Sequence, residues 1–261
     1  MDRIKGSLKG FWNYRTLLQE LVRRDIKVRY RGSFLGMVWT VLNPILTMLV
    51  MTVVFSKLFR FEIENYTVYF LAGNIIFTLM SESTTNALFS VVNNNSLIKK
   101  VYIPKYLFPL SKTLSGLVNL GFSFVALLVV MLIQRTPYRW TLLLSPIVMF
   151  YVLMFSIGLG LILATVMIFF RDIAQLYSVL ILLWTYLTPI FYPVSLLEEN
   201  APFMLKYNPM YHYISYFRQL VLDGAVPGLR ENFVCFAMAL VMFVIGAVTF
   251  YKNQDKFILH I

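Results

Sequence analysis

Residues 17–55 read LLQELVRRDIKVRYRGSFLGMVWTVLNPILTMLVMTVVF, and the character of the chain changes halfway along them. In the first half Leu17, Leu18, Leu21, Val22 and Ile26 recur with Tyr14 at helical spacing, while Arg15, Gln19, Arg23, Arg24 and Lys27 fall on the other side. Thr16 followed by Gln19 suits a capping box at the start of such a helix. The second half, residues 34–55, is an apolar run of the length that crosses a bilayer, about 20 residues. A basic amphipathic helix directly before a span is expected in the membrane interface, its apolar face among acyl chains and its Lys and Arg among phosphates. A topogenic anchor with no further role would read the same way.

Five more apolar windows follow: residues 67–92, 107–133, 140–170, 173–192 with Pro189 inside it, and 233–251. The fold expected is an all-α membrane protein of six transmembrane helices. Residues 1–33 form an N-terminal cytoplasmic segment with the amphipathic interfacial helix, and residues 34–261 form the spanning domain. Composition agrees: 59% of the 261 residues are hydrophobic and 13% charged, against about 45–50% and about 25% in an ordinary soluble domain. Mean hydropathy is +0.72. A soluble or disordered chain is excluded. Residues 1–32 hold no apolar core, so no cleavable signal is expected.

The formal charge of +11 is distributed unevenly. Arg3, Lys5, Lys9, Arg15, Arg23, Arg24, Lys27, Arg29 and Arg31 crowd the leader, Lys99, Lys100 and Lys105 the loop after the second window, and Lys252 and Lys256 the tail. On the other side Lys57, Arg60, Arg135, Arg139, Lys206, Arg218 and Arg230 are largely offset by acids. With an even number of spans, both termini are expected in the cytoplasm. The basic charge marks topology and anionic lipid, not nucleic acid, because no DNA- or RNA-binding motif accompanies it.

Two connecting segments carry pattern of their own. In the run NNNSLIKKVYIPK, residues 93–105, Ser96 can cap a stub of helix, Pro104 discourages its continuation, and Leu97, Ile98, Val101 and Tyr102 would share one face. That face beside Lys99 and Lys100 suits a cytoplasmic partner; a plain connector would have the same pattern. Residues 193–231 are too apolar for a solvated loop and too broken to span, so re-entrant or interfacial short helices on the outer side are expected.

Catalytic signatures do not accompany this architecture. A Walker-type phosphate loop is missing from the sequence, and His212 and His260 have no metal-ligand cluster beside them. Cys235 lies in an apolar run and reads as a small hydrophobe. Glu82 and Asn43 are polar within windows; Glu82 must face protein or water, since an acid at the bilayer centre costs about 2.5–3.5 kcal/mol on insertion scales. Its Ser and Thr neighbours suggest a wet patch near a subunit contact. Aromatics reach 16%. Trp39, Phe77, Trp184, Tyr186, Phe191 and Tyr192 are candidates to line a glycan channel, with lipid contact or core packing the alternative for each.

Taken in order, residues 17–36 with Trp39 and Asn43-Pro44, then KKVYIPK (99–105), FFRDI (169–173), LTPIFYP (187–193) and YNPM (207–210), resemble permeases of the type-2 ABC exporter class that move lipid-linked polysaccharides. The resemblance implies a homodimer working with two copies of a separate ATPase that holds ATP and Mg, the permease itself carrying no cofactor and no enzymatic activity. It implies a coupling helix at about residues 96–103, comprising Leu97, Ile98, Lys99, Lys100, Val101 and Tyr102, with a second contact at Arg171 and Asp172. Arg23, Arg24, Lys27, Arg29 and Arg31 would meet the diphosphate of the lipid carrier or ordinary anionic headgroups. The membrane implied is the bacterial plasma membrane, and the cargo an O-antigen, capsule or wall teichoic acid. A drug exporter of the same plan and a stand-alone secondary carrier are the competing readings.

Overall fold

The computed structural model describes residues 14–30, 36, 38–59, 63–101 and 103–257. The described residues are helical almost throughout. Helix α1 is Arg15–Tyr30, α2 Val38–Met51 continued by a wider π-type turn at Thr52–Leu58, and α3 Tyr66–Leu88. The stub α4 is Asn95–Lys100, followed by α5, Leu107–Ile133, and α6, Ser145–Phe169, led in by a 3-10 turn at Trp140–Leu144. Then come α7, Ile173–Tyr186, the short α8, Ser195–Asn200, α9, Pro202–Tyr207, and α10, Pro209–Arg218, and finally the long α11, Leu229–Asn253.

Among the described residues four helical stretches are long and apolar enough to cross a membrane: Val38–Ser56, Leu107–Ile133, Trp140–Phe169 and Leu229–Lys256. Tyr66–Leu88 with Val92–Lys100 makes a fifth, bent by 48°. The window expected at 173–192 yields a helix of 14 residues, about 21 Å at 1.5 Å per residue, short of a hydrocarbon core of about 30 Å. The chain turns at residues 187–189, where Pro189 has no N–H to continue the helix.

Helix α3 is the centre of the bundle. It packs on α5, α6 and α10 and buries Phe70, Leu71, Ile76, Met80, Ala87 and Leu88 almost completely. Of its buried hydroxyls, Thr84 donates to the Met80 carbonyl at 2.7 Å and meets the Tyr177 hydroxyl of α7 at 2.6 Å, while Ser83 Oγ is buried without a hydrogen-bond partner. Helix α6 lies against α11, where small residues let backbones approach closely. A Cβ at Gly158 would run into the Met242 carbonyl, and one at Gly246 into the Gly158 carbonyl.

Helix α1 departs from the expectation of an apolar face among acyl chains. Leu18 and Leu21 are buried against protein, in a cluster with Ile98, Leu107, Leu161, Ile168, Phe250 and Phe257. The carboxylate of Asp25 explains the docking, since it accepts from Lys112 Nζ on α5 at 2.8 Å. Only part of the helix remains outward, Val28 for example being 65% exposed. At the same end Lys105 donates to the Gln254 carbonyl; burial lowers its ammonium pKa, opposed by the nearby Asp255 carboxylate. Neither expected cap is used: α1 starts before Thr16 and α4 before Ser96, leaving both inside first turns.

At the opposite end the chain past α7 is tied down by side chains. Backbone groups released from a helix in a membrane must find internal partners, and here five carbonyls of residues 187–192 accept from side chains. Asn208 donates to Leu187 O at 3.2 Å, Arg218 to Pro189 O at 2.8 Å and Ile190 O at 3.2 Å, Tyr66 to Phe191 O at 2.9 Å, and Tyr69 to Tyr192 O at 3.0 Å. Arg218, at the end of α10, is 7% exposed. It also donates to Tyr69 O at 3.2 Å, and its guanidinium carbon stands 3.4 Å from the centre of the Tyr69 ring. Carbonyl dipoles and a π face thus take the place of a carboxylate. Gly73 makes the room: a Cβ there would lie 2.7 Å from Arg218 Nη2. Asn208 completes the bracket as N-cap of α10, accepting from Met210 N and from Trp184 Nε1 at 2.8 Å. Of the expected short helices of residues 193–231, α10 packs on α3, with Tyr213, Ile214 and Phe217 fully buried.

Two outcomes are expected in thermal unfolding of the detergent-solubilised protein. Gly246→Leu should cost about 1–3 kcal/mol or more, because overpacking falls on backbone that cannot give, whereas Gly121→Ala, with open space around it, should change little. Arg218→Leu should cost roughly 2–4 kcal/mol by leaving carbonyls without donors. An unchanged melting temperature for Arg218→Leu would show that the bracket is held by something else.

Candidate functional site

Three helices turn polar side chains toward one another. Trp39, Asn43 and Thr47 on α2 are spaced by four, as are Asn119 and Ser123 on α5, and on α3 Asn74, Thr78, Ser81, Glu82, Thr85 and Asn86 recur at three and four. Spacing of three and four puts side chains on one face of a helix. These faces line a cavity of about 810 Å³, completed by Thr40, Pro44, Ile75, Gly36, Ile181 of α7 and Arg29 at the end of α1. In a bundle this apolar, a hollow walled by hydroxyls and amides is a place for a hydrogen-bonding cargo or water.

Among the described residues two charges stand in this wall, and they face each other. Glu82 Oε2 accepts from Asn119 Nδ2 at 2.7 Å and lies 3.5 Å from Arg29 Nη1. Both charged side chains are partly exposed, Arg29 at 32% and Glu82 at 44%, so the pair borders the cavity and is weak by the standard of half-exposed ion pairs. Glu82 thus has protein partners on two helices and borders the cavity.

Among the aromatic candidates, Trp39 borders the cavity. Phe77 lies in the central core, 5% exposed. Trp184 points to Asn208 and packs edge-on against Phe155. Tyr186, Phe191 and Tyr192 gather beyond the end of α7: Phe191 stacks on Phe55 and Phe70 and leans on Tyr186, while Tyr192 donates to the Tyr186 carbonyl. The structure thus brings Trp39, Asn43, Glu82 and Arg29 together and leaves the other five aromatics elsewhere. Thr47, Asn74, Thr78, Asn119 and Ser123 join them without having been singled out by sequence; the signal was their recurrence at three and four inside apolar windows.

The basic leader divides by position. Arg23 pairs with Glu20 at 3.2 Å, Arg24 reaches Asn94 at 3.2 Å and Asp25 at 3.4 Å, Lys27 is exposed, and Arg29 reaches the cavity. Arg31 lies outside the described residues, as does Tyr102 of the stub. Within α4 the shared face expected for docking is divided: Ile98 is 8% exposed and turned into the protein, Leu97 is partly buried, and Lys99, Lys100 and Val101 face outward, Val101 at 52%. The inner cluster beside α4 draws Ile98 in. Arg171 and Asp172 form an exposed turn between α6 and α7, beside Phe170 at 70% exposure.

Comparison with known proteins fits this arrangement. The ABC-2 type transporter model matches residues 16–222, which take in every wall of the cavity. The chain is similar to the O-antigen export system permease protein RfbA of Myxococcus xanthus, 30% identical over 252 residues, 96% of this chain and 97% of that protein. It is likewise similar to the protein of the same name from Klebsiella pneumoniae, 30% identical over 246 residues, 92% and 93% of the two chains. A more distant relative is the polysialic acid transport protein KpsM of Escherichia coli, 19% identical over 251 residues, 95% and 96% of the two chains. With the greater part of its length matched, from the leader helix to the bracket that closes α7, this chain belongs to the ABC-2 type transporter family.

Proposed function

We propose that the chain is the permease of an ATP-driven exporter that carries a lipid-linked polysaccharide, of the O-antigen, capsule or wall teichoic acid type, from the cytoplasm across a bacterial plasma membrane. The observation that carries this reading is the cavity of about 810 Å³ with its hydroxyl and amide lining. Sugar hydroxyls both donate and accept, and Asn, Ser and Thr do the same, so a glycan passing through exchanges hydrogen bonds with water for hydrogen bonds with the wall. Relatives named as O-antigen permeases point the same way.

In this reading α2, α3, α5, α6, α7 and α11 are six spans, α7 completed by the bracketed turn after it, with both termini in the cytoplasm. Two copies form a homodimer around the path. Support comes from α2 and α7, which flank the cavity and leave Leu49, Val50, Val53, Leu176, Val179 and Leu183 more than half exposed, an apolar surface for a second copy. Two copies of a separate ATPase, which hold the ATP and Mg, dock at α4 through Lys99, Lys100 and Val101 and at the Arg171 and Asp172 turn. The leader's basic residues draw the carrier's diphosphate and anionic headgroups to the cytoplasmic face. The re-entrant helices α8 to α10 close the outer exit, with the aromatic cluster of Tyr186, Phe191 and Tyr192 beside them.

Replacing the outward Val101 and the inward Ile98 separates the two roles of the stub. In co-purified permease and ATPase, Val101→Asp should lower glycan-stimulated ATP hydrolysis at least about tenfold, the effect of about 1.4 kcal/mol at an interface, with the permease melting as before. Ile98→Asp should lower the melting temperature of the permease itself by burying a charge. Full coupling in Val101→Asp would remove α4 from the ATPase contact.

A further inference from the structure

We infer that Phe257, in the turn that follows α11, is a positioning residue for the ATPase: it clamps the two segments assigned to that contact, α4 and the Arg171 and Asp172 turn, in a fixed relation to each other. The inference rests on the export reading above and adds to it a residue that works without touching the partner.

Neither segment can hold its own place. Helix α4 has six residues, fewer than the about 12–15 that keep an isolated helix folded, and the turn is an exposed break between α6 and α7. Both are therefore placed by what lies beneath them. Ile98 of α4, Ile168 near the end of α6, Phe250 of α11 and Phe257 belong to one buried cluster.

Phe257 reaches toward both segments. Its ring meets Phe169, the last residue of α6, edge-on with 6.3 Å between centroids, and Phe169 leads directly into the exposed Phe170, Arg171 and Asp172. On the other side the ammonium of Lys105, in the segment that leaves α4, stands 5.6 Å from the centre of the Phe257 ring and donates to the Gln254 carbonyl of the same turn. A ring face and a backbone acceptor thus hold one cation together. The ring is rooted in turn on Phe250, edge-on at 5.2 Å, and α11 is set against α6 where Gly246 meets Gly158. At 0% exposed, Phe257 offers a partner no surface, so what it contributes to docking goes through the segments it fixes. Segments fixed in advance bind without the ordering cost that loose ones incur.

The test measures the affinity of the separate ATPase for the permease in nanodiscs, at a temperature below the melting point of every variant. Phe257→Ala should weaken binding on the order of tenfold, because both segments must then be ordered on docking. Phe257→Leu refills most of the space and should recover most of the affinity. Phe155→Ala is the matching control: the same truncation of an equally buried ring, but in the central cluster, should lower the melting temperature and leave the ATPase affinity as in the wild type. Should Phe257→Ala not fold, Lys105→Met decides, since it removes the donor to Gln254 and the charge over the ring without opening a cavity. It should weaken binding about fivefold, the size of one net hydrogen bond. Wild-type affinity in Phe257→Ala, or in Lys105→Met where Phe257→Ala does not fold, overturns the clamp while leaving the export reading standing, and so does an equal loss in Phe155→Ala. A wild type that does not bind the ATPase overturns the export reading itself and the clamp with it.

Discussion

The constraint on which this structure turns is that a helix may not stop inside a membrane unless its backbone is answered. Helix α7 ends at Tyr186 after 14 residues, too few to span, and the next six residues leave carbonyls pointing into the bundle. Arg218, Asn208, Tyr66 and Tyr69 donate to them. Because Arg218 ends α10 and Asn208 begins it, satisfying those carbonyls also fixes α10 against α3. Because Gly73 leaves the space for Arg218, the same requirement reaches back into the central helix. The position of α7, and with it one wall of the cavity at Ile181, follows from this bracket.

The second organising feature is a division of α3 between two jobs. One side is core, with Phe70, Phe77 and Met80 buried. The other is the polar stripe from Asn74 to Asn86 that walls the cavity. The bundle tolerates that stripe because the hollow gives its polar groups partners, and because the acid among them is matched by Asn119 and Arg29. The described side chains wall this hollow mostly with hydroxyls and amides, with Trp39 as its aromatic member.

Much of this was legible in the sequence because hydrophobic length and periodicity are direct physical signals. The apolar windows fall on α2, α3, α5, α6, α7 and α11, the stub appears as α4, and the broken outer region appears as short helices. Glu82 and Asn43 could be found as polar residues that had no business in lipid. What could not be read was anything that depends on which face meets which neighbour. Ile98 and Val101 look alike in a row of letters, yet one is in the core and the other outside. Leu18 and Leu21 look ready for lipid, yet the Asp25 to Lys112 pair draws them onto α5. Arg218 could be counted only as one more cation, because its partners are carbonyls contributed by a segment about thirty residues away and by α3.

We propose the cavity among α2, α3 and α5 as the path of the cargo. Cysteine accessibility tests it most directly. In a background with the buried Cys235 replaced by Ala, Thr47→Cys and Thr78→Cys should each react with a small water-soluble maleimide in the reconstituted complex, and lipid-linked glycan should protect both. Val244→Cys, on the exposed apolar face of α11, should show no such protection. Glycan that stimulates ATP hydrolysis while leaving the labelling of positions 47 and 78 unchanged would contradict the claim.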